Sequence, residues 1–319
     1  LTVVLFARLW RRAGISTDLE LVELRYAGRP AAWLRGFRAV WLGLVVNAVI
    51  IGWVNLAMAK ILAQVLGWGR LGAVLACFAL TGAYSAFSGL WGVVVTDLFQ
   101  FVLAMGGCIV LAVLALRLPE VGGIAGLHEA LPAEAFAFFP RFDGSTSPGA
   151  LVGIAATAFF AHVGIQWWSS WYPGSEPGGG GYIAQRMMSA KNERHAVFAT
   201  LWFTIAHYCL RPWPWILVGL VALRLYPDLG DREVGFVLVM QKTLPLGLRG
   251  LLLGAFLAAY MSTVSTQLNW GASYLVNDLY RRFLRPHAEP RHEVRMSRLA
   301  TVLSLAAGGA ATFLLDSVS

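Results

Sequence analysis

Ala258-Ala-Tyr-Met-Ser-Thr-Val-Ser-Thr-Gln-Leu-Asn269 is the stretch on which the fold turns. It lies inside an apolar run, residues 250–277, long enough for a helix rising 1.5 Å per residue to cross about 30 Å of hydrocarbon. Ser262, Thr263, Ser265, Thr266 and Asn269 crowd about two helical turns near the middle of that run. Ser262, Thr266 and Asn269 share one face by i, i+4 and i, i+7 spacing, and Thr263 lies beside it. Three uses are open to such a cluster. It can hydrogen-bond a neighbouring helix, bond back to carbonyls of its own helix, or hold a hard cation such as sodium, which takes oxygen ligands.

Similar apolar runs recur on both sides, at about 39–66, 71–88, 91–116, 149–172, 196–224 and 298–315, after a stub at 1–10. That predicts seven crossings, with a tight turn at Ser88-Gly89 between the second and third. The chain is 58% hydrophobic and 13% charged, and the charged share is about half that of ordinary globular chains. The fold class expected is an all-α, polytopic membrane protein forming a single transmembrane domain over 1–319. Thirteen Trp and 34 Gly agree with it, since Trp collects at membrane interfaces and Gly is tolerated within spans. The chain opens on Leu1 and stops at Asp316-Ser-Val-Ser319, so both ends read as cut.

A net charge of +8 invites a nucleic-acid reading, and its placement refuses it. Sixteen of the 25 Lys and Arg fall in or beside three alternate loops, at 11–38, after Tyr182, and at 278–297. By the positive-inside rule that face is cytoplasmic, and the expected location is a bacterial inner membrane. Cys77, Cys108 and Cys209 lie inside apolar runs and suggest neither disulfides nor zinc. Enzyme signatures fail: His292-Glu-Val-Arg-Met296 lacks the second His of a zinc-protease helix, Gly178–Gly181 lacks the Lys of a phosphate loop, and no Gly-x-Ser-x-Gly elbow appears.

Two spans are interrupted. Trp167-Trp-Ser-Ser-Trp-Tyr-Pro-Gly-Ser-Glu-Pro-Gly-Gly-Gly-Gly181 cannot continue as a helix, and it either lines a wet cavity or lies outside the bilayer. Arg211-Pro-Trp-Pro-Trp215 predicts a kink. Charged groups at membrane depth are expensive, which singles out Asp97, His207 and Arg211. Asp97 stands near the start of its span, where a solvated interfacial carboxylate is the plainer reading. Arg211 needs an internal partner, for which Glu176 is a candidate. Asn47, Asn55 and Lys60 are weaker signals, Lys60 being placed to snorkel.

Four stretches, in order, resemble the sodium:solute symporter family. They are Thr17-Asp-Leu-Glu-Leu-Val-Glu-Leu-Arg-Tyr26, Gly89-Leu-Trp-Gly-Val-Val-Val-Thr-Asp-Leu-Phe-Gln100, Gln185-Arg-Met-Met-Ser-Ala-Lys191, and the hydroxyl-rich run with Asn277-Asp-Leu-Tyr280. The resemblance implies an incomplete LeuT-type inverted-repeat bundle that lacks its first and tenth core helices, with ion and solute held near the midplane. It implies a sodium-coupled symporter that imports a small organic solute and is not an enzyme. Its sodium ligands would be the Ala259 carbonyl and the Ser262 and Thr263 hydroxyls, with Asp97 on the sodium exit route. His207 would face solute, with Trp168, Trp171 and Glu176 of the Gly-rich stretch as further candidates. That stretch departs from sugar-transporting members, and its Trp and Glu176 suit a cationic, amphipathic or ring-bearing solute. Sodium as coupling ion, the solute and the bilayer are the expected partners, with no cofactor and no nucleic acid. The rival reading is a membrane sensory module feeding a signalling domain beyond Ser319.

Overall fold

The computed structural model describes residues 2–137, 160, 161, 164 and 181–315, side chains at 83–91 and 93 excepted. Apart from 160, 161 and 164, the crossing expected at 149–172 and the stretch up to Gly180, with Trp168, Trp171 and Glu176, lie outside the described residues. Among those described, every regular element is helical. In chain order they begin with α1 (Ala7–Ala13), α2 (Glu20–Arg25), α3 (Gly28–Leu66), α4 (Arg70–Leu116) and α5 (Gly123–Ala130). There follow α6 (Gly181–Ser189), α7 (Glu193–Ile205), α8 (Pro212–Leu225), α9 (Gly235–Thr243), α10 (Leu246–Leu284) and α11 (Pro290–Thr312).

Local chemistry sets the ends. The kink expected at Arg211 is a break between α7, extended by a wider turn at Ala206–Leu210, and α8. Pro212 stands at the start of α8, where a missing N–H costs nothing. Asn192 caps α7 by accepting from the His195 amide at 3.0 Å. The loop read as 11–38 is largely helical: α2 and the first third of α3 occupy it, so α3 starts well before residue 39.

Ion pairs sort the loops into two faces. Arg12–Glu193 (3.0 Å), Arg35–Asp278 (2.7 Å) and Arg282–Glu23 (2.8 Å) tie the three basic loops to one another. At the opposite face Lys60 meets Asp231 and Glu233 at 2.9 and 2.5 Å, and Lys242 meets Glu120 at 3.0 Å. Each described pair thus joins segments of a single face, as alternating crossings require. Lys60 is accordingly paired rather than left to snorkel.

The α4 backbone runs helical for 47 residues, without the turn expected at Ser88-Gly89. Drawn straight it would reach about 70 Å, more than twice the hydrocarbon thickness. Its contacts exclude a straight rod. Arg70 donates to the Thr312 carbonyl and, at 2.6 Å, to that of Leu315, while the loop after Leu116 pairs with Lys242. Gln64, just before α4, bonds Gln241, the neighbour of Lys242, so both ends of α4 stand on one face. Tyr260 lies beside Thr81, and Ser262 beside Asp97. Thr81 and Asp97 would be roughly 24 Å apart on a straight helix, whereas Tyr260 and Ser262 are separated by about 3 Å of rise. The element therefore doubles back between Gly82 and Val94. It carries no proline, and the reversal falls in a sequence holding Gly82, Gly89 and Gly92, the weakest helix formers after proline.

α3, α10 and α11 pack through small residues. A side chain at Gly271 would strike Asn47, one at Gly308 would strike Ile51, and one at Gly52 would come within 2.9 Å of Ala311. Such close approach is how helices associate where lipid removes the hydrophobic drive. Some polar groups within these seams find partners and some do not: Asn47 Nδ2 donates to the Gln267 carbonyl at 2.9 Å, whereas Asn47 Oδ1 and the buried Gln267 side chain have none among the described residues. The Tyr260 hydroxyl donates to Asn55 Oδ1 at 2.7 Å, and Asn55 Nδ2 donates to Thr312 Oγ1 at 3.0 Å.

At the basic face a buried clasp closes the bundle. Asp278, fully buried, accepts from Thr17 Oγ1 at 2.8 Å and pairs with Arg35. Arg35 also reaches Glu23 at 2.7 Å, Asn277 donates to Glu20 at 2.6 Å, and the Tyr274 hydroxyl donates to Asp18. Breaking a buried pair leaves an uncompensated charge. Asp278→Asn is expected to lower the stability of the parent protein by about 3 kcal/mol, measured by unfolding in mixed micelles. Arg12→Gln, which breaks a solvent-exposed pair, is expected to change it immeasurably.

Hydrogen bonds from Arg282, and then from Arg35, hold the Glu23 carboxyl below its usual 4.5. A depressed folded pKa stabilises fully above the unfolded value, and that contribution is lost as pH falls through the folded one. Acid titration below pH 4.5 should therefore destabilise the wild type more steeply than Glu23→Gln, read from melting temperature against pH.

Candidate ion and solute site

Ser262 stands about midway along α10, roughly 20 Å by helical rise from Arg249 at one face and 24 Å from Asp278 at the other. The Thr263 hydroxyl donates to the Ala259 carbonyl at 3.0 Å, so two of the three sequence-predicted sodium ligands sit together on one turn. This is back-bonding, one of the uses open to the cluster, and it leaves the hydroxyl oxygen's lone pairs facing outward. Ser265 bonds back to the Ser262 carbonyl at 3.2 Å.

The doubled-back α4 brings Asp97 to this same depth, beside Ser262. The carboxylate is neither interfacial nor freely solvated, for its Oδ1 is buried without a hydrogen-bond partner among the described residues. A third element completes the group. Arg186 of α6 donates through Nη2 to Thr266 Oγ1 at 3.0 Å, lies over the Tyr182 ring at 4.4 Å, and adds its positive charge beside Asp97. α6 is seated hard on α10, where any side chain at Gly181 would collide with Tyr274 and Trp270. Ser262, Thr266, Trp270, Tyr274 and Asp278 recur every four residues. One stripe of α10 thus joins the midplane hydroxyls to the clasp.

Chemically the group offers hard oxygen donors, a carboxylate poor in hydrogen bonds and a tethered guanidinium. No metal-binding cluster of His, Cys, Asp and Glu occurs among the described residues. Sequence reading missed Arg186 and Thr266 as partners, although both lie in stretches that drew attention for other reasons. His207 lies among aromatic rings. It stacks on Phe203 at 5.4 Å and meets Tyr208 edge-on at 4.8 Å. Arg211 lies over the Trp215 ring at 4.7 Å; Glu176, its expected partner, is outside the described residues.

The chain is 24% identical to sodium/glucose cotransporter 2 of Rattus norvegicus, across 95% of this chain and 48% of that one. It is 28% identical to a sodium/glucose cotransporter of Vibrio parahaemolyticus, across 94% and 56%. The chain thus spans about half the length of the curated relatives it matches. A solved structure of a Na+-coupled sialic acid symporter, in a substrate-bound outward-open state, superposes with a TM-score of 0.77 at 18% identity. That match covers 98% of this chain and 63% of the other, and it shows the LeuT-type helical bundle that the motifs implied. A sequence description of the whole family matches residues 1–313, and the chain belongs to the sodium:solute symporter family.

Proposed function

We propose that this chain acts in sodium-coupled symport, importing a small organic solute by alternating access. The observation that carries the reading is the convergence of Asp97 on Ser262 at mid-bilayer depth, beside the paired oxygens of Ala259 and Thr263. A hydrated sodium ion entering that depth must exchange water for protein oxygens, and this turn of α10 supplies them. Ala259, Ser262 and Thr263 hold the ion, and Asp97 draws it toward the cytoplasmic face. Coupling requires sodium to bind one state better than the other. A site shared between helices meets that need, because moving one helix against another breaks the ligand set.

Trp168, Trp171, Glu176 and His207 are the side chains proposed to face the solute. A glucose cotransporter and a sialic acid symporter among the similar proteins place sugars and sialic acid first in a solute panel. Glu176 extends that panel to cationic and ring-bearing compounds. A bacterial inner membrane is the proposed setting, consistent with the Vibrio relative and the basic loops on one face.

The test uses the complete parent protein in proteoliposomes, with charge movement recorded on a solid-supported membrane as solutes are added. A solute-evoked current in sodium buffer that vanishes in potassium buffer is expected. Asp97→Asn should raise the half-saturating sodium concentration about tenfold, equivalent to about 1.4 kcal/mol. Arg186→Gln, which removes a competing positive charge, should lower it. Currents driven by a pH step without sodium, or unchanged by Asp97→Asn, would overturn the reading.

A further inference from the structure

Arg29, Trp33, Phe37 and Trp41 recur every four residues on α3 and form one stripe. The packed chain leaves this stripe uncovered: Trp33 is 75% exposed, Phe37 62% and Trp41 49%, and the Phe37 and Trp41 rings stack at 6.4 Å. It continues toward the other face as exposed Val45, Val49 and Trp53. From Trp33 to Trp53 is roughly 30 Å of helix, the thickness of the hydrocarbon. The stripe is therefore a lipid-facing flank, and its arginine end lies at the basic boundary of the bilayer. The end of α10 runs alongside, with Phe283 against Gly36 and Leu284 exposed.

Charge at that end is unbalanced. Glu23 is spent on Arg35 and Arg282, and Arg281 is matched by Glu293 at 3.7 Å. Arg25, Arg29 and Arg285 are exposed and have no carboxylate partner among the described residues. A recess of about 310 Å³, lined in part by Tyr26, Gly28, Arg29 and Arg282, opens at the start of α3. Glu23 also lines the recess, with its charge already neutralised.

An occupant must put negative charge in the recess and apolar length along the aromatic stripe. A nucleic acid or soluble acidic peptide meets the first demand and fails the second. We infer that this corner of α3 binds an anionic phospholipid of the cytoplasmic leaflet. Its phosphodiester sits at Arg29 in the recess at the start of α3, and its acyl chains lie along Trp33, Phe37 and Trp41. Arg25 and Arg285 supply the surrounding positive field, as clustered basic residues do at anionic membrane surfaces.

The complete parent protein is reconstituted in phosphatidylcholine vesicles containing a fixed small fraction of brominated phosphatidylglycerol or, in parallel, brominated phosphatidylcholine. Bromine quenches tryptophan at contact, and the contribution of Trp33 is the difference between wild type and Trp33→Phe. Quenching of that component should be at least about threefold stronger with the anionic lipid and should lose its excess in high salt. The doubly substituted Arg29→Gln, Arg285→Gln protein should equalise the two lipids while the other tryptophans are quenched as before, which shows the fold intact. Equal quenching in the wild type, or a Trp33 component reached by neither lipid, overturns the inference.

Discussion

Hydrocarbon offers no water to a polar group, and the rest of this structure follows from that constraint. Backbone amides are satisfied within helices, so the described chain is helical throughout its regular elements. Several side chains that bring polarity to membrane depth are paired where helices touch: Asn47 Nδ2 on a carbonyl of α10, and Asn55 between Tyr260 and Thr312. Full charges are paired where loops gather at the two faces. Glycine contacts permit the first kind of pairing, because only helices that approach closely can place a short amide against a neighbour's backbone.

The candidate site is a controlled departure from the same rule. Asp97 arrives at the midplane with one oxygen unpartnered, at a position that helix packing alone would never favour. It gets there because α4 reverses and runs back along α10. The opposing charge comes from Arg186, placed by a helix that glycine seats on Trp270 and Tyr274. The same stripe of α10 ends at Asp278 in the clasp with Arg35. A displacement of α10 or α6 would thus be felt both at the hydroxyl cluster and at the cytoplasmic boundary. Rigid packing converts small shifts into discrete rearrangements rather than continuous bending.

Much of this was legible in the residues. Apolar run length and alternating basic loops predict a polytopic helical protein, and the sorted ion pairs agree with the two faces. Ala259, Ser262 and Thr263 came from a motif, and the bond between Thr263 and Ala259 sets two of them on one turn. Long-range pairing was not legible. Nothing in the spacing of Asp97 says that its helix returns to Ser262, or that Arg186, 89 residues later, joins them. Asp278 and Arg35 read as members of separate cytoplasmic stretches, and the contact between those stretches is tertiary. Helix boundaries were also elusive, since α3 begins in a basic segment whose helical propensity is masked by its charge.

The proposed sodium site, the turn of α10 at Ala259–Thr263, is tested by equilibrium binding of radiolabelled sodium to the purified protein. Saturable binding is predicted, weakened at least about tenfold, or about 1.4 kcal/mol, by Thr263→Ala. Ser265→Ala, which removes a buried hydroxyl outside the proposed ligand set, should leave it unchanged. Binding that is absent, or that ignores Thr263, would contradict the account.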